Sequence, residues 1–245
     1  MSVARPRAAH QGPSQLAAPA VDNVAVSTRL DSLSARSRSW TDVQTWAPPK
    51  VERFLFDLDG TITQTEILPQ IARAIGLEHE IATLTRQTMA GGVPFESSLR
   101  RRVEILKEVP VSEVRAIIRS IELDPHLVAF IQANRDRCTI VTGNLDAWIT
   151  DVIDVLGAEC VCSRAYACDN ELIGLISVLD KSTVASRWSG LVCAIGDGYN
   201  DLGMIASADI GIAYGGVHPP APGLLDVATH AIYDAQRLCT FLSEW

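Results

Sequence analysis

The chain has 245 residues, with 21 Lys and Arg against 29 Asp and Glu, a net charge of −8 and 47% hydrophobic residues. This is the composition of a globular protein able to bury one full core with a small insertion or a tail, rather than two large domains. The acidic balance argues against a nonspecific binder of nucleic acid or anionic membranes, and no apolar run approaches the roughly 20 residues that cross a bilayer.

Residues 1–50 stand apart. They are rich in Ala, Ser, Arg, Pro and Gln, lack sustained apolar periodicity, and carry six basic against three acidic residues. They read as a flexible tail of net charge +3, which leaves −11 for residues 51–245. The absence of acid before Asp22 and the Arg and Ser content are shared with organelle transit peptides, but no continuous apolar core of a secretory signal is present.

From Val51 the pattern changes. Arg53 to Phe56 is a short apolar run opening into Asp57-Leu-Asp59-Gly-Thr61, as expected of a buried strand ending in a loop. Helical periodicity follows over 66–75, 80–89, 95–107, 112–121 and about 125–134. After this block strands and helices alternate: strand 138–141, helix 145–156, strand 191–195, helix 202–206, short strands at 210–213 and 230–233, and a last helix at 236–244. The expected class is α/β, a Rossmann-like three-layer parallel sheet spanning 51–245, with a small helical cap over about 64–125 inserted after the first strand.

Six cysteines occur at 138, 160, 162, 168, 193 and 239. Cys138 and Cys193 fall in apolar runs and read as core residues, which fits a reducing cytoplasm. Cys160, Cys162 and Cys168 lack the paired spacing of a structural zinc site.

Ligands of an open parallel sheet gather beyond the carboxyl ends of its strands. Three polar clusters follow three expected strands: Asp57-Leu-Asp59-Gly-Thr61, Thr142-Gly143-Asn144 and Gly196-Asp197-Gly-Tyr-Asn200-Asp201. On extended backbone Asp57 and Asp59 face the same way. Their repulsion, joined by that of Asp197 and Asp201, calls for a cation, and hard oxygen donors without His or Cys suit Mg²⁺. Thr142-Gly-Asn144 is either an anion site at a helix start or an ordinary capping turn.

Asp57-x-Asp59-Gly-Thr61, Thr142, Lys181 and Gly196-Asp197-Gly-x-Asn200-Asp201 resemble, in order, the motifs of the haloacid dehalogenase superfamily of phosphohydrolases. The cap residues Glu66, Met89, Gly91-Gly92 and Phe95 to Val103 resemble those of its phosphoserine phosphatases. The resemblance implies a Mg²⁺-dependent phosphomonoesterase in which Asp57 is the nucleophile and Asp59 the general acid and base. It assigns the metal to Asp57, the Asp59 carbonyl and Asp197, with Asp201 orienting Lys181 or the metal's water. Thr142, Gly143, Lys181 and Asn200 would cradle the phosphoryl group. Glu66 would receive a substrate ammonium and Arg102 a carboxylate, behind Met89 and Phe95. The spacing of Phe95, Ser98 and Arg102 places them on one helix face.

The sequence departs from that family at Thr142-Gly143-Asn144, where phosphoserine phosphatases usually carry Ser-Gly-Gly, and in the short stretch between Lys181 and Asp197. Other small phosphomonoesters, a phosphomutase reaction and a noncatalytic binding role therefore stay open beside phosphoserine hydrolysis. The expected partner is a small phosphorylated metabolite, with no nucleic acid or membrane, for a cytoplasmic monomer or homodimer.

Overall fold

The computed structural model describes residues 50–245. Apart from Lys50, the segment expected to form a tail lies outside them.

Seven strands form the sheet: β1 (Val51–Phe56), β2 (Cys138–Leu145), β3 (Glu159–Cys168), β4 (Glu171–Ser177), β5 (Leu191–Gly196), β6 (Ile210–Tyr214) and β7 (His230–Ile232). Their order is β4-β3-β2-β1-β5-β6-β7, parallel throughout except for the β3–β4 pair. β1 is central, with Phe56 in register with Ile140 of β2 on one side and Ile195 of β5 on the other. The chain builds outward from β1 through β2 and β3, then returns to the other side of β1 with β5. That reversal opens a crevice at the carboxyl ends of β1, β2 and β5, the usual ligand position in such sheets.

Between β1 and β2 lie α1 (Ile67–Arg73), α2 (Glu78–Met89), α3 (Phe95–Leu106), α4 (Val111–Arg119) and α5 (Pro125–Ala133). An antiparallel bridge from Thr63 to Leu123 pinches the two ends of the first four helices together. The Gln64 amide donates to the Glu122 carbonyl and the Asp124 amide to the Ile62 carbonyl, both at 2.9 Å. Asp124 then caps α5, accepting from the His126 and Leu127 amides ahead of a proline at the first helical position. The remaining helices are α6 (Asp146–Leu156), α7 (Leu202–Ser207), α8 (Pro222–Val227) and α9 (Ala235–Ser243).

The apolar runs are buried as their patterns require: Phe54, Leu55 and Phe56 of β1 are fully buried, as are Ile140 of β2 and Ile195 of β5. At the opposite edge of the sheet from the crevice, Arg137 donates to the carbonyls of Val51 and Trp245 and lies over the Phe54 ring, tying β1 to the chain's last residue.

Several features differ from the sequence reading. β3 and β4 form a hairpin where no strand was expected, because β3 mixes Cys, Ser, Arg and Tyr and is half-exposed rather than continuously apolar. Its two-residue turn, Asp169-Asn170, has φ of 50° and 70°, the signature of a primed hairpin turn that such residues tolerate. The tip serves the cap: Asn170 accepts the Val111 and Ser112 amides at the start of α4. β2 extends through Thr142-Gly-Asn144 to Leu145, and α6 begins one residue later than expected. The short stretch after Lys181 is taken up by two 3₁₀ turns, Lys181–Thr183 and Ala185–Arg187.

Candidate active site

The crevice is floored by charge. Asp57 follows β1 directly, its amide donating to the Ile195 carbonyl at 2.9 Å, so the sheet ladder fixes its position. Leu58 is fully buried beneath it. The chain then turns sharply, with the Ile62 and Thr63 amides both bonded to the Leu58 carbonyl and Gly60 at φ 68°. That left-handed geometry and a close approach both require glycine: a Cβ at Gly60 would lie 2.9 Å from Asp197 Oδ2.

Lys181 is buried and its Nζ lies 2.5 Å from Asp57 Oδ1 and 2.6 Å from Asp201 Oδ1. Asp201 is fully buried, and its other oxygen accepts the Asp197 and Gly198 amides at 3.2 and 3.0 Å. Asp197 accepts the Thr61 hydroxyl at 2.8 Å. Oxygens of Asp57, Asp197 and Asp201 all lie within 4.8 Å of one another. Three carboxylates outnumber the two cationic groups beside them, Lys181 and His218, and an all-oxygen donor set can hold a hard divalent cation.

The electrostatics follow from burial. Desolvation first, then the charge of Asp201, drive the Asp57 carboxyl well above its ordinary range against the opposing pull of Lys181. Burial raises Asp197 to about 6. Lys181 is held above its ordinary value: burial alone would lower it, but Asp201 and Asp57 outweigh that.

Asp59 stands outside this carboxylate cluster. One of its oxygens accepts the Ile67 amide at 2.9 Å and the other accepts from the Asn144 side-chain amide. Burial, then the nearby Glu66 charge, raises its pKa to about 7. A carboxyl poised there exchanges a proton near neutral pH, as a general acid and base must.

Above the floor, cap residues complete a cavity. Asp57, Asp59, Gly143, Asp197 and Asn200 line it from the sheet, and Glu66, Met89, Phe95 and Arg102 line it from the cap. Thr142, Lys181 and Asp201 do not reach it: the Thr142 hydroxyl accepts the Asn144 amide, and the other two lie beneath Asp57. Arg102 is buried on the inner face of α3, donating to Thr85 Oγ1 at 3.0 Å and the Ser98 carbonyl at 3.3 Å. Among the described residues it has no carboxylate within ion-pairing distance, and burial lowers its pKa against the opposing charges of Asp59 and Glu66. Glu66 immediately precedes α1, and its Oε1 is shielded from water without a hydrogen bond. A buried guanidinium and a half-buried carboxylate on the same cavity wall suit a ligand bearing both charges.

Sequence reading missed one contact and one contributor. Asn144 lines the cavity beside Gly143, and its side-chain amide also donates to Asp59. His218, in the loop after β6, places Nε2 3.1 Å from Asp197 Oδ2 and 3.5 Å from Glu66 Oε1, and those carboxylates raise the imidazole to about 10. The available signal was positional: the loop after a further parallel strand opens on the same sheet edge.

The family of haloacid dehalogenase-like hydrolases matches residues 54–206. A phosphoserine phosphatase of Methanocaldococcus jannaschii is 29% identical over 181 residues, covering 67% of this chain and 86% of the relative. One from Halobacterium salinarum is 28% identical over 206 residues, covering 77% and 96%. Among solved structures, a phospho-aspartyl intermediate analogue of phosphoserine phosphatase superposes with a TM-score of 0.69 at 27% identity, covering 78% of this chain and 99% of the other. A substrate-bound phosphoserine phosphatase complex gives 0.70 at 26% identity, covering 79% and 99%.

Proposed function

The chain belongs to the haloacid dehalogenase-like hydrolases, and from that premise we propose that it hydrolyses O-phosphoserine to serine and phosphate with Mg²⁺ as cofactor. The observation that carries this reading is the pairing of an acid-rich strand-end cluster with a cap wall that offers a guanidinium without a carboxylate partner among the described residues, Arg102, and a carboxylate across the same cavity, Glu66. Phosphoserine presents the matching groups, a phosphoryl dianion and a zwitterionic head. Arg102 holds the carboxylate and Glu66 the ammonium.

Asp57, Asp197 and the backbone carbonyl of Asp59 would hold Mg²⁺, which when bound offsets the charge between the anionic phosphoryl group and the carboxylates. An Asp57 oxygen forms a bond to phosphorus while the bond to the seryl oxygen breaks, giving an aspartyl phosphate. Asp59 delivers its proton to the departing alkoxide, then takes one from the water that attacks phosphorus, freeing the Asp57 carboxylate and phosphate. A carboxylate nucleophile needs no base of its own, so Lys181 serves to position Asp57 and to neutralise charge. Asn144 aims the Asp59 carboxyl through its amide. The Gly143 amide and Asn200 receive phosphoryl oxygens, and Phe95 and Met89 close the cavity to water.

The test is phosphate release with Mg²⁺ over phosphoserine, phosphothreonine, phosphoethanolamine, phosphocholine and sugar phosphates. Phosphoserine should lead phosphoethanolamine, which has no carboxylate, by at least about tenfold in kcat/KM, equivalent to about 1.4 kcal/mol. A flat profile would return the substrate to the wider class of small phosphomonoesters.

A further inference from the structure

Beside the all-oxygen cluster lies a second set of converging donors of different chemistry: Glu66 Oε1, an Asp197 oxygen and His218 Nε2. We propose that these three residues form a Zn²⁺ site, separate from the Mg²⁺ position and sharing Asp197 with it, whose occupation inhibits the enzyme. The three come from distant parts of the chain, before α1, after β5 and in the loop after β6, so no local turn chemistry gathers them.

The geometry fits a small tetrahedral ion. His218 Nε2 lies 3.1 Å from Asp197 Oδ2 and 3.5 Å from Glu66 Oε1. Bonds of about 2.0–2.1 Å from a tetrahedral centre place ligand atoms about 3.3–3.4 Å apart, between those two values. His218 Nε2 and Glu66 Oε1 are both shielded from water and make no hydrogen bond of proper geometry. The other ring nitrogen, Nδ1, lies 3.2 Å from the Pro219 carbonyl, the outer contact that commonly orients a metal-bound imidazole. Gly60 leaves the room: a Cβ there would fall 2.6 Å from Nε2 and 2.9 Å from Asp197 Oδ2. An imidazole among two carboxylates favours Zn²⁺ over Mg²⁺, which prefers oxygen and retains water.

The functional consequence rests on the proposed role of Glu66. With Glu66 committed to Zn²⁺, the substrate ammonium loses its partner, so Zn²⁺ should compete with phosphoserine and affect p-nitrophenyl phosphate, which has no ammonium, far less.

Zn²⁺ binding is measured by calorimetry on the full chain at saturating Mg²⁺ and constant pH, for the unmodified protein, His218→Gln and His218→Asn. The unmodified chain should bind one Zn²⁺, and both variants should bind it at least about tenfold more weakly. Far-ultraviolet circular dichroism of both variants should match that of the parent, which verifies the fold. Zinc X-ray absorption on the unmodified chain should show one imidazole, a readout independent of any variant's folding. Undiminished affinity in both variants, or an all-oxygen zinc shell, overturns the site. Histidine-dependent binding that leaves the phosphoserine KM unchanged upholds the site and overturns instead the role given to Glu66.

Discussion

Gly143 and Phe95 meet so closely that a Cβ on Gly143 would stand 2.1 Å from Phe95 Cζ. One belongs to β2 and the other opens α3, so this contact is where the cap seats on the sheet directly over the cavity. A methyl group has no room unless the ring withdraws and α3 with it. Gly143→Ala should therefore cost about 1–3 kcal/mol of stability from overpacking and lower kcat/KM by at least about tenfold. Adding Phe95→Leu to Gly143→Ala should recover part of both losses. The four proteins of this cycle, compared by thermal midpoint and phosphoserine kinetics, should show a coupling of at least about 1 kcal/mol, whereas simple additivity would place the defect elsewhere.

Asp57→Asn keeps the shape of the side chain but removes the nucleophile and the negative charge beside Lys181 Nζ. Turnover should fall by at least about three orders of magnitude, as expected when covalent catalysis is lost. The fold should survive, because Lys181 keeps Asp201 and the amide can still accept from it. Single-turnover assays under acid quench should trap phosphorylated protein in the parent and none in the variant. Near-parental turnover by the variant would rule out the aspartyl phosphate.

Much of this site is legible in the amino-acid sequence. The motifs around Asp57, Thr142 and Asp197 follow apolar runs, and apolar runs ahead of polar clusters become central strands with their carboxyl ends at one crevice. The cap helices are legible because their apolar residues recur at three and four, as with Leu99, Val103 and Leu106 on the buried face of α3. What stays hidden depends on tertiary placement. β3 carries no continuous apolar run, and the apolar stretch Leu172 to Ile176 of β4 is only partly buried, since an edge hairpin needs to bury only part of each face. Asn144 reaches the cavity from the end of β2, but its hydrogen bond to Asp59 is not encoded by any local pattern. His218 belongs to a loop whose path over Gly60 no local pattern encodes.

Arg102 tests substrate recognition apart from phosphate chemistry. Its guanidinium is held by Thr85 and the Ser98 carbonyl, with no carboxylate partner among the described residues. Arg102→Ala should raise KM for phosphoserine by about 10²-fold, in line with loss of a charge-assisted bidentate contact of roughly 2–3 kcal/mol. The same variant should change KM for p-nitrophenyl phosphate by less than about threefold, because that compound has no carboxylate. Arg102→Lys should recover little, since an ammonium lacks the planar fork. Equal losses on both substrates would show that Arg102 supports the cap rather than the carboxylate.

The buried carboxylates also set how stability responds to pH in the absence of metal. Asp59 is raised to about 7 and Asp197 to about 6, against an ordinary value of 3.8, and Asp57 is raised as well. A group whose pKa is higher in the folded state binds more protons there, so its contribution is fully present below the unfolded value and is lost as pH rises through the folded one. His218, raised from 6.5 to about 10, acts in the same direction above neutrality. Glu78 and Asp151 are lowered below ordinary carboxylate values and so titrate beneath this window. In chelator, the thermal midpoint should therefore fall from pH 5 to pH 8, by at least about 4 °C if the loss reaches about 2 kcal/mol. Saturating Mg²⁺ should flatten the profile, because it favours the ionised forms of Asp57 and Asp197 in the folded state. Asp59→Asn should remove the share of the slope centred near pH 7 while leaving that near pH 6. A midpoint that rises over this range in chelator would show that the crevice carboxylates are not raised by burial.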